Sequence, residues 1–365
     1  MERKNSITLS GITNFLEAGA LLRQKGRWTL IAGPFQTREK PNKHEISVFC
    51  PEFYSLENSP VWVGNSSFSL STEQLREACE AYLAATGVKS NATSESLSAW
   101  QEPLKADFAE AFDVIQTRIT RQEIAKAVPV VFARKTQTIT PPARAQMILQ
   151  LLTAPETLHV YGFWNEGVGV LGATPEVLFS YKDQILETMA LAGTCPKSET
   201  SSRDSLLHDE KEMHEHRLVV DDLVTLFKSQ GDLEVTGPEI LELPTLYHLK
   251  TDIRVRLHAR ETDGVALAKK MHPTPALGVA PRSAGFQWMA TLPGQDDRGR
   301  FGAPFAFLSG EEALCLVGIR NIQWNRQSSM IGSGCGVVAA SELDREWREL
   351  FQKRFSVRKI LGLEI

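Results

Sequence analysis

Residues 159–181 read HVYGFWNEGVGVLGATPEVLFSY. Two runs rich in aromatic and β-branched residues, His159–Trp164 and Val168–Tyr181, flank Asn165-Glu166-Gly167. Runs of that composition read as strands, and the short polar, glycine-ended stretch between them reads as a hairpin turn. A hairpin is an antiparallel connection, so the reading outward starts from an antiparallel sheet. Further strands are expected at Trp28–Phe35, Glu45–Phe53, Val128–Ala133, Ala313–Ile319 and Met330–Ala339. Helices are expected at Ser71–Ala85, with a capping box formed by Ser71 and Gln74, and from about Leu104 into Ala125. Pro141 and Pro142 open another, Glu210–Lys228 is a long amphipathic one, and Glu342–Ile360 is the last. Strands and helices come in irregular order, which predicts an α+β fold instead of a doubly wound parallel sheet.

The chain has 365 residues, of which 42% are hydrophobic, enough for a large core in one big domain or two smaller ones. Charged residues make up 23% and the formal net charge is -4, so there is no basic excess to suggest a nucleic-acid partner. The cysteines, at 50, 79, 195, 315 and 335, are scattered, odd in number and form no CxxC, which argues against a disulfide framework and a zinc site. Met1–Gly19 is polar, and no run approaches the roughly 18 apolar residues of a membrane span, so a cytoplasmic protein without membrane contact is expected. The stretch 87–98, rich in small polar residues, is the best linker candidate.

Two helical segments carry paired acids. In Lys211-Glu212-Met213-His214-Glu215-His216 the two glutamates are three apart and share a face. Glu346 and Glu349 repeat the spacing, with Lys353 four beyond Glu349. Alone, either patch reads as surface charge. Together they offer the hard oxygen ligands that Mg²⁺ prefers. Gly-rich turns at 191–194 (LAGT) and 332–336 (GSGCG) let backbone amides approach an anion, although each alone is also an ordinary tight turn. Arg320 ends the apolar run 316–319 and needs a partner, for which a carboxylate is the natural choice. His248 is equally readable as a satisfied core histidine. Glu176 precedes apolar Val177, Leu178 and Phe179, where burial would raise a carboxyl pKa and suit it to general-acid work.

The order of these pieces resembles the chorismate-binding enzyme family, which includes isochorismate, salicylate, anthranilate and aminodeoxychorismate synthases. The matching motifs are ITRQEIAKAV (119–128), GATPEVLF (172–179), LAGT, KEMHEHRLVVDDL (211–223), YHLKTDI (247–253), HPTPALG (272–278), RFGAP (300–304), GIR (318–320), GSGCGVVAAS (332–341) and REWRELFQK (345–353). The resemblance implies one chorismate-binding domain over 1–365, with residues 1–100 as its variable N-terminal part and 105–365 as the motif-bearing core. It implies two large, orthogonally packed β-sheets flanked by helices, with the two glutamate-bearing helices facing each other across a cleft. By that match Glu215 and Glu349 are magnesium ligands, supported by Glu212 and Glu346. Gly193 and Thr194 meet the ring carboxylate. Arg320 and the amides around Gly334 grip the enolpyruvyl carboxylate. Lys353 and His248 line the pocket.

Within the family, Lys126 falls at the position of a lysine base that activates water, and Glu176 at that of the general acid. Ala192 stands where the aminodeoxychorismate enzymes have a nucleophilic lysine, and Ala276 keeps the HPTPA segment from which salicylate-type sequences depart. These matches imply an isochorismate synthase that needs Mg²⁺, works as a monomer and has no obligate glutaminase partner. Its product would feed menaquinone or siderophore synthesis. A salicylate synthase, an amine-forming synthase and a non-catalytic homologue are the alternatives. Phe301 (where many relatives have Tyr), Cys335 and Cys195 depart from the family pattern. Sliding the alignment of the first motif by three residues would put Pro129 at the base position, at the cost of the matches at Ile119, Glu123 and Ile124.

Overall fold

A computed structural model describes residues 4–40, 45–87, 100–197, 203–243, 246–259, 263–295, 297–310 and 312–363. The expected hairpin is present: Val168 pairs with Asn165, leaving Glu166 (φ 51°) and Gly167 (φ 81°) as a two-residue loop. Positive φ at both loop positions is the turn geometry whose twist suits two antiparallel strands.

The second strand of that hairpin is shorter than its apolar run. It is split into Val168–Thr174 and Val177–Lys182, which belong to different sheets. Pro175 has no amide hydrogen to give a ladder, so the run breaks there and the chain crosses from one sheet to the other. The crossover is pinned on both sides. The Glu176 amide donates to Thr174 Oγ1 at 3.2 Å, and the Val317 amide donates to the Glu176 carbonyl at 3.1 Å.

The first sheet has eight strands, in the order Ser66–Leu70, Arg27–Ala32, Gly19–Gln24, His159–Asn165, Val168–Thr174, Asn321–Trp324, Ser329–Gly334 and Val130–Lys135. The second has nine, in the order Gly231–Glu242, Leu246–Leu257, Ile185–Pro196, Val177–Lys182, Glu312–Val317, Pro304–Ser309, Ile46–Phe49, Val61–Val63 and Gln36–Arg38. Their pairings are antiparallel, as an α+β fold requires. The first hundred residues supply strands to both sheets.

The sheets share an apolar layer in which Leu22, Tyr161 and Phe163 of the first meet Val48, Phe305 and Leu316 of the second. Helices Leu9–Glu17, Thr72–Thr86, Pro141–Leu151 and Leu343–Leu361 contribute to the core on the first sheet's other face. Glu210–Phe227 and Gly264–Met271 do so for the second sheet. The capping box of Thr72–Thr86 forms as expected, with the Ser71 amide donating to Gln74 Oε1 at 2.8 Å and the Gln74 amide to Ser71 Oγ at 3.2 Å. The linker candidate 87–98 lies, beyond Gly87, outside the described residues.

Two boundaries matter for the site. The helix expected to reach Ala125 ends at Thr120, and Gln122 takes a left-handed φ of 59°. Lys126 therefore lies on a short strand, Lys126–Ala127, paired with Val279–Ala280. The strand expected to reach Ala339 stops at Gly334, which frees the next residues to turn under the last helix. No described helix is long and apolar enough to cross a membrane.

Candidate active site

The crossover, three strand ends and two helices converge on one pocket. Its lining includes Glu176, Gly193, Thr194, Glu215, His248, Ala276, Arg320, Gly334, Glu349 and Lys353. Lys126, Glu212 and Glu346 lie directly behind that lining, almost wholly buried. Residues spread over more than two hundred positions are thus brought together. The free space among them is about 70 Å³.

The LAGT segment lies in the strand Ile185–Pro196 and is bent by a β-bulge between Ala192 and Thr194, where Gly193 takes φ 81°. A Cβ at Gly193 would stand 3.0 Å from the Glu212 carbonyl oxygen, so the close approach favours glycine as much as the dihedral does. The bulge aims the Thr194 amide at Glu212 Oε2, 2.8 Å away. Thr194 Oγ1 lies 3.0 Å from His248 Nδ1. Burial, followed by the nearby Arg320 and Lys353 charges, holds His248 well below the usual imidazole range, so it is neutral at neutral pH.

The two helices present their carboxylates to each other, and cations stand between them. Lys211 Nζ lies 3.0 Å from Glu212 Oε1 and 2.8 Å from Glu346 Oε1, joining the two helices. Arg345 adds a contact to Glu212 at 2.9 Å. Glu215 Oε1 is 2.8 Å from Lys126 Nζ, and Glu349 Oε1 is 2.5 Å from Lys353 Nζ, which also donates to the Gly334 carbonyl at 2.8 Å. Among the described residues no group of three or more His, Cys, Asp or Glu is arranged to hold a metal ion.

The carboxylates also act on one another. Burial and then the Glu215 charge push Glu212 up to about 7, and burial and then Glu349 raise Glu346. Burial alone would raise Glu215 too, but Lys126 and then Lys211 outweigh it and the net direction is down. Glu212 and Glu346 are thus raised in part by carboxylate neighbours, and the four carboxylates are oxygen donors of the hard kind that suits Mg²⁺.

Glu176, at the sheet crossover, is 4% exposed, and burial pushes its carboxyl up to about 8 against the opposing pull of Lys126 and Lys353. It is therefore largely protonated at neutral pH. Arg320 adopts φ 55°. Its turn is held by the Tyr161 hydroxyl, which donates to the Ile319 carbonyl at 2.9 Å, and by Asn321 Nδ2, which donates to Tyr161 Oη and to the Gly318 carbonyl, both at 2.7 Å. Arg320 itself donates to Ser356 Oγ at 2.9 Å; among the described residues no carboxylate forms an ion pair with it, although the charge of Glu349 acts on it.

Several supports were not singled out by the sequence. Lys211 is the ammonium between the helices. His216, next to Glu215, is a neutral core histidine between the Ala192 carbonyl (3.1 Å) and Thr251 Oγ1 (2.7 Å). Arg354 ties the last helix to the Gly-rich segment through Ser333 Oγ at 2.8 Å and to Glu102 at 3.1 Å. The GSGCG segment, expected as a turn, is strand as far as Gly334, and it needs glycine where it meets the walls: a Cβ at Gly332 would lie 2.6 Å from Phe301 Cδ2, and one at Gly336 only 2.0 Å from Glu215 Oε1.

The sequence profile of the family described as "Chorismate binding enzyme" matches residues 57–362. The chain belongs to the chorismate-binding enzyme family. Among curated relatives, the "Salicylate biosynthesis isochorismate synthase" of Pseudomonas aeruginosa is 35% identical over 201 residues, 53% of this chain and 42% of that protein. "Isochorismate synthase EntC" of Escherichia coli K12 is 31% identical over 206 residues, 54% of this chain and 52% of that one. The matches thus span about half the length of these relatives. Among solved structures, the menaquinone-specific isochorismate synthase MenF from Escherichia coli superposes with a TM-score of 0.75 over 97% of this chain and 91% of that one, at 19% identity. Anthranilate synthase component I from Streptococcus pneumoniae gives 0.66 over 93% and 89%, at 17% identity. At such identities these likenesses establish the fold alone, and they agree with the two-sheet architecture.

Proposed function

We propose that this chain is an isochorismate synthase, adding water to ring carbon 2 of chorismate with loss of the hydroxyl at carbon 4. The observation that carries the reading is a carboxyl held protonated near neutral pH in the pocket wall (Glu176) with a buried lysine (Lys126) close enough behind that wall to act on its charge. Water addition needs a group to take the water's proton, and loss of hydroxide needs one to give a proton to the leaving oxygen. Lys126 takes the first in its neutral form, after it has parted from Glu215 and released its own proton to solvent, and Glu176 gives the second. The curated relatives named as isochorismate synthases support this choice among the family's reactions.

The dianionic substrate meets a pocket that offers two cations, Arg320 and Lys353, and glycine-rich backbone beside the carboxylates. Gly193 and Thr194 receive the ring carboxylate, while Arg320, Lys353 and the amides around Gly334 receive the enolpyruvyl carboxylate. Neutral His248 hydrogen-bonds without adding charge, and Ala276 shapes the wall.

Glu215 and Glu349, with Glu212 and Glu346 behind them, would hold Mg²⁺. Bound there, it supplies the polarisation and orientation of the ring carboxylate. Calorimetric titration of the protein with MgCl₂ reads this without turnover: binding that disappears in Glu349→Gln supports the ligand set, and equal binding in that variant rejects it.

Product analysis tests the activity. Incubation with chorismate and MgCl₂, without ammonia, is expected to give isochorismate in equilibrium with chorismate, lost on adding chelator. Salicylate plus pyruvate would move the reading to that sister reaction. Product only with ammonia would replace it by an amine-forming synthase and a glutaminase partner. The reading takes the chain as a monomer that needs no such partner.

A further inference from the structure

Pro175 and Arg320 form a wall shared between the catalytic pocket and a second cavity of about 270 Å³. This cavity lies beneath the last helix. Leu158, Leu246, Val357 and Ile360 give it an apolar interior. It is lined by two cations, Arg320 and Lys359, and among the described residues by no carboxylate. The Arg320 guanidinium already leans toward it, because Ser356, which accepts its hydrogen bond at 2.9 Å, lines this cavity and not the catalytic one. Glu349 acts on this guanidinium from the catalytic side, but among the described residues no carboxylate forms an ion pair with it, so at the edge of an apolar chamber it is a ready fork for a carboxylate.

We propose that the second cavity binds a small one-ring carboxylic acid, its carboxylate on Arg320 with Lys359 at the rim and its ring among the apolar side chains. The size suits such a ligand, since pockets for larger, drug-sized molecules start at roughly 300 Å³. The consequence for catalysis rests on the reading above, in which Arg320 also grips the substrate. One guanidinium then serves two chambers, so the acid and chorismate oppose each other's binding, by the same factor in each direction.

The test uses para-fluorobenzoate as the probe, followed by fluorine NMR on the whole protein, with para-fluorobenzamide as the uncharged control. Thr153 and Lys359 are exposed residues of the cavity's lining, so Thr153→Trp and Lys359→Glu can be made with little risk to the fold. The benzoate is expected to bind and the benzamide not. Thr153→Trp should abolish binding by filling the chamber, Lys359→Glu should weaken it about fivefold, and chorismate should weaken it in the wild type. Absence of binding overturns the proposal. Binding that neither variant changes also overturns it, because the probe then sits in the catalytic pocket. Binding lost in Thr153→Trp but indifferent to chorismate overturns the shared arginine. The readout needs no turnover, so a chain that makes no isochorismate yet shows the expected pattern refutes the proposed reaction and leaves this site standing.

Discussion

Lys126 Nζ lies 2.8 Å from Glu215 Oε1, with the lysine wholly buried and the Glu215 side chain 10% exposed. The residue assigned as base is thus paired with a residue assigned to the metal. Removing one member of a buried pair strands the other, at a cost of about 3–5 kcal/mol. Lys126→Gln is expected to abolish water addition and to lower the denaturation midpoint. The acid limb should move as well. Glu215 has a folded pKa below its ordinary 4.5, so its contribution to stability is present above that value and is lost as pH falls through the folded pKa. Without Lys126 that contribution shrinks, and acid unfolding followed by circular dichroism should begin at higher pH. An unchanged acid limb would mean that the contact does not govern Glu215.

Gly336 tests the same contact from the other side. A Cβ there would stand 2.0 Å from Glu215 Oε1 and 2.6 Å from Lys126 Cε, so both side chains must move. Displacements near 1 Å in a site can cost about a hundredfold in rate. Gly336→Ala is expected to lose about that much in kcat/KM while keeping a folded circular-dichroism spectrum. Activity within twofold of wild type would show that the pair tolerates displacement.

Glu176 gives a prediction of opposite sign to Glu215. Its folded pKa is raised from 4.5 to about 8, so its contribution to stability is full below pH 4.5 and is lost as pH rises through 8. A shift of that size amounts to roughly 5 kcal/mol at high pH. Glu176→Gln, which cannot ionise, should therefore gain stability relative to wild type from pH 6 to pH 9 in urea titrations, and should lose about 10²–10⁴ in kcat. A stability difference flat across that range would contradict the buried, protonated acid.

Lys211 holds the glutamates of two helices at once, and its pKa is raised because Glu215, then Glu212 and Glu346, outweigh the effect of burial. Lys211→Met should cost about 3–5 kcal/mol. It should also make the protein more dependent on Mg²⁺, seen as a larger rise in Tm on adding MgCl₂ than in wild type. Equal rises in both would indicate that the ion and the ammonium do not compensate for each other.

Much of this could be read from the sequence because it is local. The capping box at Ser71 and Gln74, the Glu166-Gly167 turn and the three-residue spacing of the paired glutamates are fixed by neighbours in the chain. The motif order then located the pocket residues. What could not be read is long-range. Lys211 looks like one charge in a charged helix until the last helix brings Glu346 to it. Arg354 and Glu102 meet across 252 positions. The crossover at Glu176 did carry a signal, since Pro175 inside an apolar run is a poor central-strand residue. That break separates the two sheets and buries the acid.

The central claim is that the oxygen added at ring carbon 2 comes from water, through Lys126. Turnover of chorismate in ¹⁸O-labelled water with MgCl₂, analysed by mass spectrometry with fragment assignment, tests it most directly. Isochorismate carrying the label at carbon 2 is expected, and no labelled product from Lys126→Gln. Unlabelled isochorismate, or the same label incorporated by that variant, would contradict it.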